Sequence, residues 1–338
     1  MLVVTSTLGA DEHDTGADHP ERPERLGAAL AGIDEAGLQD ACLTLEPRRA
    51  SYEELALVHS HDYLLYLRTV CEAGGGYLDA DTPVSRGSWD TALLAAGSGL
   101  AAIDSLDSGS GTMAFVAVRP PGHHALGDTA MGFCLLNNIS IAARALAERG
   151  ERVAIVDYDV HHGNGTQAIF WNDPRVLYTS IHQWPLFPGT GRLEDTGGPD
   201  APGTTLNIPL PPGTTGEIVL RALDEVIVPA VEHFAPTWLL VSAGFDGHRA
   251  DPLADWRLSA GDFADIASRV TGLSPAPGRL LMFLEGGYDL DALCRSVGST
   301  LAVLAGVRYR PEPATSGGPG SSAVDAARNA MAASGVAG

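Results

Sequence analysis

Short, almost unbroken apolar runs alternate along this chain with longer stretches of helical periodicity, and this alternation restricts the fold more than any other feature. The runs are Leu2–Ser6, Met113–Val118, Arg152–Asp157, Arg175–Ile181, Thr205–Ile208, Thr237–Ala243 and Arg279–Glu285. Brief apolar runs without polar alternation suit parallel strands covered on both faces. Helices are expected between them, over Glu53–Ala73, Ser88–Leu106, Asn138–Arg149, Gly216–Phe234, Ser259–Thr271 and Leu290–Ala305. In Glu217–Phe234 the apolar residues recur at three- and four-residue steps, which gives a helix one buried face. The pattern predicts a single α/β domain with a mostly parallel central sheet flanked by helices on both faces. From Pro311 onward the chain turns to Pro, Gly, Ser and Ala. A domain over residues 1–310 is therefore expected, followed by a flexible tail over 311–338 that holds a short alanine-rich helix near Ala323–Ala333.

Composition excludes several classes of function. The net charge of −21 disfavours binding to a nucleic-acid backbone and favours cationic substrates at long range. No apolar run approaches the roughly 18 residues that cross a bilayer. The N-terminus, Met1–Thr5, has no basic flank and reads as a first strand, so a cytoplasmic location away from membranes is expected. No two of Cys42, Cys71, Cys134 and Cys294 stand at C-x-x-C spacing, which argues against a cysteine zinc site or redox pair.

Four polar segments follow apolar runs, where ligands of parallel sheets bind. The first is Asp157-Tyr158-Asp159-Val160-His161-His162-Gly163-Asn164-Gly165-Thr166. Side chains two apart on extended backbone share a face, so Asp157, Asp159 and His161 point the same way. A carboxylate and an imidazole so placed can reach one cation, although acidic strand ends also occur without metals. The second segment, Ala243-Gly244-Phe245-Asp246, brings a carboxylate that could complete a site with Asp159 and His161. Two carboxylates neutralise a divalent ion and acidify its water less than neutral ligands do, so a separate general base is needed. The third segment supplies one: in Arg119-Pro120-Pro121-Gly122-His123-His124-Ala125 a compact loop could turn both histidines inward. The fourth, Glu285-Gly286-Gly287-Tyr288-Asp289, could aim a tyrosine hydroxyl at a developing oxyanion, though most tyrosines simply pack.

Together these segments resemble the arginase-deacetylase superfamily, and within it the histone deacetylases and acetylpolyamine amidohydrolases, in a class II-like bacterial form. The resemblance spans roughly Met1–Arg310. It rests also on HPERPER at His19–Arg25, GFCLLNN at Gly132–Asn138, FPGTG at Phe187–Gly191 and AGFDGHRADPL at Ala243–Leu253. It implies the arginase-deacetylase fold and zinc-dependent hydrolysis of an N-acyl amide. It also implies zinc ligands Asp159, His161 and Asp246, with iron(II) an alternative that ligand types do not separate. His124 resembles the general base and acid, with Asn164 orienting it; His123 resembles its partner, oriented by Asp157. Asn at 164, rather than Asp, is similar to the class II branch. Tyr288 matches the carbonyl-polarising residue. Phe133 and Phe187 match the walls of the acyl-lysine tunnel, with core packing as the other reading. Gly132 would accept the substrate amide N–H, Cys134 and Gly287 would lie at the acyl pocket, and Arg25 matches an arginine near an acetate channel, or else caps a helix or pairs with Glu21. A structural potassium ion is implied beside Asp157, Asp159, His161, Ser180 and Ile181.

Polyamine-selective relatives carry a glutamate where this chain has Leu253, which leans the reading toward acetyl-lysine side chains. The acidic segment Asp11–Asp14 keeps an acetylated polyamine or another small acylated amine as the alternative. A two-manganese arginase-like hydrolase needs further Asp and His ligands, and a non-catalytic acyl-lysine reader is the rival outside enzymes. His59 and His61 fall on an expected helix and read as structural. Oligomeric state is not legible.

Overall fold

In a computed structural model, which describes residues 1–333, ten strands and eleven α-helices follow one another along the chain. They are β1 (Leu2–Ser6), α1 (Glu24–Glu35), β2 (Cys42–Leu45), α2 (Tyr52–Leu55), α3 (His61–Glu72), β3 (Gly75–Tyr77), β4 (Pro83–Ser85), α4 (Ser88–Asp107), β5 (Met113–Ala117), α5 (Asn138–Glu148), β6 (Val153–Asp157), α6 (Asn164–Phe170), β7 (Val176–Gln183), β8 (Thr205–Leu210), α7 (Gly216–Ala222), α8 (Val228–Phe234), β9 (Trp238–Ala243), α9 (Ala260–Gly272), β10 (Leu280–Leu284), α10 (Leu290–Leu304) and α11 (Ser321–Ala333). Eight strands form one parallel sheet in the order β2-β1-β5-β10-β9-β6-β7-β8. The expected α/β class and two-sided burial therefore hold. Every residue of β6, β7, β9 and β10 is buried, as expected of parallel strands covered on both faces.

One sheet face packs against α1, α7 to α11 and the turn between α7 and α8. The other is covered by α4 and α5, with a smaller apolar cluster outside them formed with α2 and α3. Because both faces are sheathed, polar chemistry has room only at the strand ends.

Several elements depart from the sequence expectation. The helix expected over Glu53–Ala73 is two helices. Ser60 ends the first segment and caps α3 by accepting from Tyr63 N at 3.2 Å. The Gly216–Phe234 helix is wound as α7, a π-helical turn over Leu223–Ile227, and α8. Pro229 lacks the N–H that would bond back to Glu225, and the wider turn absorbs that interruption. Edge strand β2 and the β3–β4 hairpin had no apolar run to announce them.

The larger correction concerns the tail. Residues 311–333 are part of the packed domain. In α11, Val324, Ala327 and Met331 are buried at helical spacing and join the core beside β8. Three apolar residues on one face suffice here, because alanine favours the helix and ion pairs Arg221–Asp325 and Arg328–Glu225 fix its outer side. Residues 334–338 of the expected tail lie outside the described residues.

His59 has the structural role expected of it, although it precedes α3 rather than lying on it. Its Nε2 accepts from Asn137 N at 2.9 Å. Burial pushes its imidazole down to about 4. The folded state thus requires the neutral ring, whereas the unfolded chain protonates it below about 6.5. Stability linked to His59 is complete above pH 6.5 and is lost as pH falls toward 4. His59→Gln retains an acceptor for Asn137 N and removes the titration. Between pH 7.5 and 4.5 the parent is expected to lose about 2–3 kcal/mol more unfolding free energy than this variant. Parallel pH profiles in urea titrations would contradict the assignment.

Candidate active site

The four polar segments follow β5, β10, β9 and β6, which are the four adjacent central strands of the sheet. Their carboxyl ends bring residues as far apart in sequence as His124 and Tyr288 into one cleft. A pocket of 200 Å³ opens there, lined by Asp81, His124, Gly132, Phe133, His161, Leu186, Phe187, Leu253 and Tyr288. It is smaller than the ~300–1,000 Å³ typical of drug-sized ligands and suits one slender chain.

At its base Asp159, His161 and Asp246 are buried, with donor atoms all within 4.8 Å of one another. The His161 Nδ1 stands 3.2 Å from Asp159 Oδ1 and 3.0 Å from Asp246 Oδ2. Backbone N–H groups fix both carboxylates: Gly286 N donates to Asp159 Oδ2 at 2.8 Å and Val160 N to Asp246 Oδ1 at 3.1 Å. Glycine at 286 is required by this approach, since a Cβ there would lie 2.0 Å from Asp246 Oδ2. Burial alone would lower the His161 imidazole, but the two carboxylates outweigh it and hold it up at about 10. They favour positive charge at this point, carried by a proton or by a metal ion in its place. Buried oxygen and imidazole donors in this number fit a divalent metal such as zinc.

The tandem histidines are held differently. His123 Nδ1 lies 3.1 Å from Asp157 Oδ2, which also accepts from Tyr178 Oη at 3.1 Å. Burial opposes charge on His123, yet Asp157, Asp159 and Glu285 hold it up at about 10. His124 is pushed well below the ordinary histidine range by burial and by the neighbouring His123 and His161. Its Nδ1 stands 2.8 Å from Asn164 Oδ1, while Asn164 Nδ2 donates to Met131 Sδ at 3.2 Å. That arrangement makes Nδ1–H the donor and leaves the Nε2 lone pair free. The protonation of these two adjacent rings is driven in opposite directions.

Tyr288 faces Phe133 edge-on across the pocket, with ring centroids 5.8 Å apart. Its N–H donates to Asp251 Oδ2 at 2.7 Å. The glycine loop below it is gripped by Arg25, which donates to the carbonyls of Gly287 and Glu285 and pairs with Glu21 at 3.0 Å. Arg25 thus pairs with Glu21, one of the three readings the sequence left open, and also lies 4.9 Å from the Tyr288 ring centroid. Phe133 adopts φ 68° directly after Gly132 at φ 54°, an uncommon backbone for a bulky residue. Thr82 Oγ1 accepts from Phe133 N at 3.1 Å and stabilises the turn. A Cβ on Gly132 would lie 2.6 Å from His124 Cδ2, so the wall approaches this ring only as glycine.

Gly132, Phe133, Phe187 and Leu253 line the pocket; Cys134 and Gly287 are buried outside its lining. Ser180 pairs in register with Asp157 across β7 and β6, with Ile181 next to it. The sequence reading missed Asp81 and Leu186 on the lining, and Asp251 and Glu285 behind it. Glu285 Oε2 accepts from Gly122 N at 2.7 Å and His123 N at 3.2 Å, so it shapes the histidine loop. Asp251 stands within the motif already singled out; nothing local marks Asp81 or Leu186.

Residues 19–304 match the histone deacetylase domain. The chain belongs to the histone deacetylase family. A probable deacetylase of Archaeoglobus fulgidus is 42% identical over 285 residues, covering 83% of this chain and 79% of that protein. A histone deacetylase-like amidohydrolase of Pseudomonas aeruginosa is 40% identical over 278 residues, covering 81% and 73%. The crystal structure of the HDA15 HD domain superposes with a TM-score of 0.88 at 32% identity, covering 98% of each chain. This chain is therefore a histone deacetylase-family hydrolase. Among the described residues no helix is long and apolar enough to cross a membrane.

Proposed function

We propose that this chain is a zinc-dependent deacetylase acting on acetyl-lysine side chains. The observation that carries the reading is His124, neutral and with Nε2 free, lining the same narrow pocket as His161 of the carboxylate–imidazole cluster. Asp159, His161 and Asp246 would hold the metal, which supplies Lewis-acid polarisation of the acyl carbonyl and acidifies a water. Iron(II) fits the same donors. A structural potassium ion would be held beside Asp157, Asp159, His161, Ser180 and Ile181.

The chain's own groups then perform the proton transfers. His124 Nε2 takes a proton from the attacking water and returns it to the departing amine. Asn164 fixes the His124 tautomer. His123, held charged by Asp157, keeps its neighbour neutral and ready to accept. Tyr288 donates a hydrogen bond from its hydroxyl to the developing oxyanion. Phe133, Phe187 and Leu253 sheath the alkyl chain, and the Gly132 carbonyl would receive the substrate amide N–H. A small acylated amine is the second reading, favoured by the Asp81 carboxylate on the pocket lining. Side-by-side assays of an acetyl-lysine peptide and N-acetylated putrescine separate the two.

Tyr288→Phe removes only the oxyanion donor. It is expected to lower kcat on the peptide by on the order of 10²–10³. KM should change little, because the interaction strengthens in the transition state. A kcat within about twofold of the parent would exclude this role for Tyr288.

A further inference from the structure

The chain after Arg310 reaches back to the loop that carries Asp246 and Leu253. At its start Glu312, only 11% exposed, meets four donors. Its Oε2 accepts from His248 Nε2 and from Ala260 N, each at 2.9 Å, and its Oε1 lies 2.9 Å from Arg249 and 3.5 Å from Arg295. Pro313 O accepts from Ser259 Oγ at 2.6 Å, and Thr315 Oγ1 donates to Asp262 Oδ2 at 2.7 Å. The contact is close enough that a Cβ on Gly261 would lie 2.4 Å from the Glu312 carbonyl oxygen. These bonds close both ends of the 247–259 loop.

From His248 the connection continues to the pocket. His248 Nδ1 accepts from Ala250 N at 3.1 Å, and Asp251 N donates to His248 O at 2.9 Å. Asp251 Oδ2 accepts from Tyr288 N at 2.7 Å, and its Oδ1 accepts from Leu253 N at 3.0 Å. Glu312 is thus two hydrogen-bonded turns away from two pocket-lining residues, on a segment that touches no part of the pocket itself.

We propose that Glu312 is a positioning residue for catalysis, holding the 247–259 loop in the shape that presents Tyr288 and Leu253 to the substrate. The inference rests on the reading of Tyr288 as the oxyanion donor. The 311–315 segment acts as a clamp on this loop. Losing the carboxylate frees His248, Arg249 and the start of α9 together. The consequence at Tyr288 is a displacement of its backbone rather than loss of a reacting group.

The test is a double-mutant cycle on the full-length, metal-loaded protein, assayed with an acetyl-lysine peptide. Glu312→Ala is expected to lower kcat by roughly tenfold, within the range of up to about 10² for a reacting group misplaced by about 1 Å. KM should stay within about threefold. In a Tyr288→Phe background the same substitution should cost less than about twofold, because the group it positions is gone. A merely structural effect lowers both backgrounds by one factor, and that result would overturn the clamp. So would parent-like kcat for Glu312→Ala beside a crippled Tyr288→Phe. A fully active Tyr288→Phe removes the underlying reading of Tyr288, and the proposal with it. Glu312→Gln, which keeps volume and one acceptor, serves under the same criteria if the alanine variant does not fold.

Discussion

His124→Ala is expected to lower kcat for an acetyl-lysine peptide by roughly 10²–10⁴, the usual contribution of a positioned general acid–base. The magnitude follows from the double duty of one ring. In the proposed mechanism its neutral state would accept the proton of the attacking water, and the protonated state would then serve the leaving amine. No neighbour can substitute. His123 is held charged by Asp157, and His161 is engaged between Asp159 and Asp246. Asparagine at 164 offers His124 an acceptor without charge, so the ring stays more acidic than it would beside a carboxylate. The change removes an exchangeable proton carrier while leaving the aromatic walls in place. KM should therefore remain within a fewfold of the parent, and single-turnover rates should fall as far as kcat. A kcat loss smaller than about fivefold would assign the base elsewhere.

The largest expected effect on stability comes from Glu21→Ala. Glu21 is fully buried and accepts from Arg119 through Nε at 2.5 Å and Nη2 at 2.8 Å, and from Arg25 Nη1 at 3.0 Å. Removing it leaves two buried guanidinium groups with one fewer carboxylate between them, since Asp11 contacts Arg119 alone. Breaking such a buried pair costs about 3–5 kcal/mol, because the stranded charges stay desolvated. Burial opposes the Glu21 charge, yet Arg119 and Arg25 outweigh it and hold the carboxyl at about 2. The stabilisation is therefore complete above pH 4.5 and disappears as pH falls toward 2. Urea midpoints of parent and variant should differ clearly at pH 7 and converge in acid. Equal midpoints at pH 7 would contradict this account. Because Arg25 also grips the Glu285–Gly287 backbone, the variant should lose kcat as well, by less than Tyr288→Phe does.

The residues that make the site were legible because each follows an apolar strand and sits in a short, polar, glycine-bearing segment. Asp157 ends β6 with Asp159 and His161 just beyond it, and Asp246 and Tyr288 lie three and four residues beyond the ends of β9 and β10. The sheet order that makes those strands adjacent was not legible. It depends on pairings such as Leu239 with Leu280 and Val153 with Trp238, which no local period encodes. Support from a distance was hidden for the same reason. Glu21 and Arg119 are 98 residues apart, and Glu312 and His248 are 64 apart. The tail was misread because composition counts apolar residues without asking where they fall. Val324, Ala327 and Met331 are few, but they share one helical face. Edge strand β2, half-buried over Cys42–Leu45, lacks the burial that writes a continuous apolar run.

In the proposed mechanism a metal held by Asp159, His161 and Asp246 and the base His124 act together on an acetyl-lysine side chain. The most direct measurement is turnover of an acetyl-lysine peptide before chelation, after chelation, and after return of zinc up to one equivalent per chain. The account predicts activity that chelation abolishes and one equivalent restores, with His124→Ala inactive throughout. Undiminished turnover by the chelated protein, or a restored His124→Ala matching the parent, would contradict it.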